Sequence, residues 1–104
     1  MPEPDEGVLD IDVRDDVVML RGDLDMDTVE ALSSQLEAIE GSIVLDLAGV
    51  AFLDSTGLQS LLRAREAAGN RGVELILRHP SAAVQRVLDL TNMWERLAIE
   101  REVS

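Results

Sequence analysis

Apolar residues alternate with aspartates at Leu9, Ile11 and Val13, the period-two signature of a half-buried strand, and Val17-Val18-Met19-Leu20 follows the turn-forming Arg14-Asp15-Asp16. An N-terminal hairpin is predicted. Beyond Gly22 the period changes, because Val29, Leu32, Leu36 and Ile39 recur at steps of three and four. This predicts a first helix over about 28–40, with Asp27 or Thr28 as N-cap and Gly41 as stop. Ile43-Val44-Leu45-Asp46-Leu47, continued by Val50, Phe52 and Leu53, is apolar in the manner of a strand covered on both faces. A second helix, over about 56–69, carries Leu58, Leu61, Leu62 and Ala68 inward and ends in the cluster Gly69-Asn70-Arg71-Gly72. Val73–Leu77 reads as another strand. His79-Pro80-Ser81 opens a third helix, with Ser81 as cap and Val84, Val87 and Leu88 as its inner stripe, and Thr91-Asn92 breaks it. Met93–Arg96 adds one more turn, with Trp94 as a packing residue, and Leu97-Ala98-Ile99 forms a last short strand or extended tail.

Strand–helix–strand crossovers are normally parallel and right-handed, so this order specifies a small single-domain α/β fold. Its sheet is expected to be mixed and four- to five-stranded, with an N-terminal hairpin and three to four helices. A length of 104 residues suits one core. Residues 1–7 read as an acidic tail and 8–104 as the domain.

Composition narrows the function. The net charge of −12 repels phosphate backbones and anionic lipid, and Phe52 and Trp94 are the only aromatic residues, too few for a base-stacking platform. Direct nucleic-acid binding is not expected. Cysteine is absent, which excludes disulfides, thiol catalysis and thiolate metal sites. Neither a signal-peptide pattern nor a membrane-length apolar run is present, so no membrane insertion is expected and the expected compartment is cytoplasmic. The acid is concentrated early, since residues 1–30 hold 11 carboxylates and 2 arginines. That end should steer a basic protein face.

The candidate chemistry lies at Asp54-Ser55-Thr56-Gly57-Leu58, where the central strand passes into the second helix. Carboxyl edges of open α/β sheets are where ligands collect. Ser55 can be a helix N-cap, or it can be a phosphorylation site whose added charge meets free backbone amides and the positive end of the helix dipole. Gly57 would let another backbone approach closely. A catalytic serine would need a base, and His79, the single histidine, lies at the end of a different strand. Asp15-Asp16 with Asp46 has the acidic character of a phosphoacceptor pocket, yet all nine basic residues are arginine and the lysine that such receivers use is missing. Asp23-Leu24-Asp25-Met26-Asp27 lacks the glycine and closing glutamate of a calcium loop, and no phosphate-cradling glycine loop occurs. Neither an enzyme nor a cofactor is expected.

Gly22-Asp23-Leu24-Asp25, Val44-Leu45-Asp46-Leu47 leading into Asp54-Ser55-Thr56-Gly57-Leu58, and His79-Pro80-Ser81 before Leu88-Asp89-Leu90-Thr91 together resemble the STAS domains of bacterial anti-sigma factor antagonists. The resemblance covers about residues 8–100, nearly the whole chain. It implies that the unphosphorylated form binds an anti-sigma factor that is itself a serine kinase, thereby freeing a sigma factor. It further implies that phosphorylation of Ser55 ends this binding and that a PPM-type phosphatase restores it. Asp23, Asp25, Asp54, Thr56 and Gly57 are the implied partner contacts. Asp23 stands where glutamate is usual, and Gln59 where many members have glycine. The alternative implied by the same resemblance is a STAS scaffold that is not phosphorylated, or an accessory subunit of a membrane transporter.

Overall fold

In the computed structural model, which describes residues 8–99, β1 (Leu9–Arg14) and β2 (Val17–Leu24) close the expected antiparallel hairpin. The expectations for residues 1–7 and 100–104 lie outside the described residues. Asp15 turns the hairpin at a φ of 56°, a left-handed conformation that aspartate tolerates better than most side chains. The chain continues through α1 (Val29–Glu37), β3 (Ile43–Leu53), α2 (Ser55–Asn70), β4 (Leu75–Arg78), α3 (Ala82–Thr91) and the single turn α4 (Trp94–Leu97). One mixed sheet results, in the order β1-β2-β3-β4, with β2–β3 and β3–β4 parallel.

This order determines where the helices go. Both crossovers step the same way along the sheet, and two crossovers of the same hand must lie on the same face. Val18, Leu20, Leu45, Leu47, Leu75 and Leu77 point to that face and are buried under Leu32, Leu36, Leu58, Leu61, Val84 and Leu88 of the helices. Each fully covered leucine contributes about 1.5–3 kcal/mol. Ser81 ties the third helix down, accepting from the Val84 N–H at 3.2 Å as its N-cap and donating to the Val50 carbonyl at 2.6 Å. Trp94 is buried as expected, and its indole N–H reaches Asp89 Oδ1 at 2.7 Å.

Several boundaries differ from the pattern. The strand predicted over 43–47 runs on to Leu53 as β3, through register shifts against β2 near Ala48 and again at Ala51 that interrupt the period of two. It is covered on one face only, and Phe52 is 50% exposed. The first helix ends at Glu37, short of Gly41. Leu97 closes α4, Ala98 turns left-handed and Ile99 packs into the core, so the last strand is not formed and the sheet has four strands.

Candidate functional site

Asp54, and not Ser55, caps α2. It sits in extended conformation, and its Oδ1 accepts from the Gly57 N–H at 2.7 Å, the capping geometry that a carboxylate offers three residues before a free amide. Ser55 is thereby released from the structural duty that its position suggested. It is the first residue of a helix of 16 residues, it is exposed, and its hydroxyl bonds to nothing among the described residues. Thr56, beside it, is exposed as well.

Gly57 has the opposite character. It is buried, and a Cβ built on it would lie 2.2 Å from the Leu24 carbonyl oxygen and 2.8 Å from Leu53 Cδ1. The close backbone approach expected at this glycine is made by the chain's own β2, and Gly57 packs within the domain. The Asp54 N–H donates to the same Leu24 carbonyl at 3.3 Å. Those contacts bring the end of β2 and the Asp23–Asp27 loop alongside the start of α2.

Thr28 organises that loop. Its hydroxyl, on a buried side chain, donates to the Asp23 carbonyl at 2.8 Å and accepts from the Asp25 N–H at 3.0 Å. Asp25 Oδ1 in turn accepts from the Asp27 N–H at 3.0 Å. Thr28 precedes α1 as its N-cap residue but makes no side-chain cap bond, because its oxygen is committed backwards into the loop. Asp23 and Asp25 are half-buried and held, while Met26 projects at the tip with 70% exposure. Sequence reasoning missed Met26 and Thr28; a lone methionine among three aspartates was the available sign of an apolar contact.

The arrangement therefore presents Ser55 and Thr56 at the head of α2 beside Asp54, with the acidic Asp23–Asp27 loop alongside. A phosphoryl group on Ser55 would add about −2 to a rim that is already negative, while staying within reach of the helix dipole. Asp54→Ala should cost about 1 kcal/mol through the lost cap, whereas Ser55→Ala should change stability by a few tenths at most. Urea denaturation of the two variants checks this, and equal losses would return the capping role to the serine.

His79 does not serve Ser55. Its Nδ1 lies 2.9 Å from Asp46 Oδ2, and Asp46 is roughly 20 Å from the helix start along β3, at about 3.3 Å per residue. Asp46, with its side chain 7% exposed, also accepts from the Ala48 N–H at 2.9 Å and from Arg78 Nε at 3.4 Å. Burial pushes the Asp46 carboxyl up, but the bonds from Ala48, His79 and Arg78 outweigh it and hold the group below its ordinary 3.8. The acidic pocket considered for Asp15, Asp16 and Asp46 is not assembled. Asp15 and Asp16 are exposed in the hairpin turn, and among the described residues no three His, Asp or Glu side chains converge as metal ligands.

Comparison with known proteins agrees with this fold. Residues 8–99 match the family profile described as Mlab, STAS domain. The structure of an anti-sigma factor antagonist from Mycobacterium paratuberculosis superposes with a TM-score of 0.74 at 26% identity, covering 99% of this chain and 92% of the other. The unphosphorylated form of the anti-sigma factor antagonist SpoIIAA gives 0.66 at 20% identity over 91% and 90% of the two chains, which speaks to fold alone. TM1081 of Thermotoga maritima likewise gives 0.69 at 24% identity over 91% and 87%. With the profile spanning almost the entire chain and the same architecture recurring along its length, this protein belongs to the STAS domain family.

Proposed function

We propose that this chain is an anti-sigma factor antagonist acting as a phosphorylation switch in the cytoplasm. Unphosphorylated, it binds an anti-sigma factor with serine kinase activity through Asp23, Asp25, Thr56 and the exposed Met26, and so releases a sigma factor. Phosphorylation of Ser55 weakens that complex, and a PPM-type phosphatase resets it. The observation that carries this reading is the division of labour at the head of α2, where Asp54 makes the cap and leaves the Ser55 hydroxyl exposed and unbonded. Similarity to the Mycobacterium paratuberculosis antagonist across nearly both whole chains supports it. The carboxylate-rich rim suits a basic partner face, and a second layer of negative charge beside Asp54 and Asp25 has to be desolvated on binding. No role in the reading requires catalysis by this chain, which acts as a binding module. As a scaffold or transporter subunit, the chain would bind its partner irrespective of charge at position 55.

The test begins with affinity capture of the tagged chain from its own cells and mass-spectrometric identification of its partners and phosphosites. Wild type, Ser55→Ala and Ser55→Glu are then compared against the captured kinase with ATP. Ser55→Ala should bind and resist labelling, and Ser55→Glu should bind about tenfold or more weakly. Labelling that persists on the alanine variant, or undiminished binding by the glutamate variant, would overturn the switch and favour the scaffold.

A further inference from the structure

The sheet has a second face, and among the described residues none of the four helices covers it. Strand register places Asp12, Met19, Asp46 and Arg78 in one row across this side, and Arg14, Val17, Val44 and Ile76 in the next. Met19 is 44% and Ile76 46% exposed, Val17 and Val44 are half-buried, and Phe52 extends the apolar strip along β3. We propose that this bare face is a self-association surface whose occupant is the same face of a second copy of the chain.

Charge argues for that occupant. The strands turn Asp10, Asp12, Asp23 and Asp46 toward this side together with Arg14, Arg21 and Arg78, leaving one excess carboxylate in a chain of net −12. Two copies can meet on this face with little like-charge repulsion. The pattern is also self-complementary. A two-fold axis parallel to the strands, passing between β2 and β3, lays β1 of one copy over β4 of the other. Asp12 then faces Arg78 twice, Val17 faces Val44 twice, and Met19 lies over the side-chain row of Asp46. Arg78, bonded to Asp46 through Nε at 3.4 Å, is 44% exposed, which leaves the rest of its guanidinium available for that contact. Aligned face-to-face packing of two sheets about 10 Å apart is a standard way of covering such a surface.

Sedimentation equilibrium of the full chain at physiological ionic strength, from micromolar to submillimolar, tests the proposal. The apparent mass should rise from 11.4 kDa toward twice that value. Met19→Glu and Ile76→Glu, each verified as folded by circular dichroism, should weaken association by about tenfold or more. Leu90→Glu, at an exposed position on α3, should leave it unchanged. A wild type that stays at 11.4 kDa would overturn the proposal and assign the face to solvent or to an unlike partner. Dissociation by Leu90→Glu in place of the two sheet variants would overturn it by moving the contact elsewhere.

Discussion

Gly57→Ala is expected to destabilise the domain by about 3 kcal/mol or more, at the upper end of overpacking costs, and to lower its thermal midpoint by upwards of ~12 °C. The added methyl group meets the Leu24 carbonyl oxygen at 2.2 Å and the Leu24 carbonyl carbon at 2.9 Å, and neither can rotate away. Relief requires α2 to move off β2, which pulls at the Asp54 bond to Leu24 and at the packing of Leu58 and Leu61. Gly69→Ala provides the internal control. It lies in the same helix with nothing within 4 Å of its Cβ position, and there alanine should stabilise by about 0.5–1 kcal/mol. Thermal denaturation of both variants decides the matter, and comparable midpoints would mean that the contact at Gly57 relaxes without cost.

Asp46→Ala should cost about 2 kcal/mol. The loss leaves the Ala48 N–H, at the irregularity in β3, without its acceptor, and it removes the anchor that holds Arg78 and His79 at the end of β4. Arg78 and His79 are both about half exposed and recover much of their solvation, which keeps the figure below that of a fully buried pair. The pH dependence has a definite sign. A carboxyl held below 3.8 in the folded state stabilises above that pH, and the contribution is lost as pH falls through the lower folded value. Wild type should therefore lose urea resistance below about pH 4, and Asp46→Asn should show a shallower acid slope. Parallel slopes for the two proteins would remove Asp46 from the acid response.

The hairpin, the three main helices and the parallel crossovers were legible because each depends on local periodicity or capping chemistry. Ser81 and Asn92 did what their types suggest, one as an N-cap and the other as a left-handed helix stop. Ser55 was legible as an exposed hydroxyl at a helix start, but not the fact that its neighbour holds the cap, since Asp54 and Ser55 are equally good caps by type. Asp46 was grouped by type with Asp15 and Asp16, and its partners 32 and 33 residues away could not be read from spacing. The extent of β3 was obscured because the irregularity near Ala48 and Gly49 breaks the alternation on which strand recognition depends. The loop role of Thr28 was hidden by its suitability as a cap.

The separation of cap from hydroxyl at the head of α2 has an evolutionary consequence. A residue that the fold does not need is free to drift, so a single codon change at position 55 can replace the hydroxyl without a folding defect for selection to purge. Position 54 carries no such freedom, so the pair sets a position the fold holds fixed beside one it leaves open.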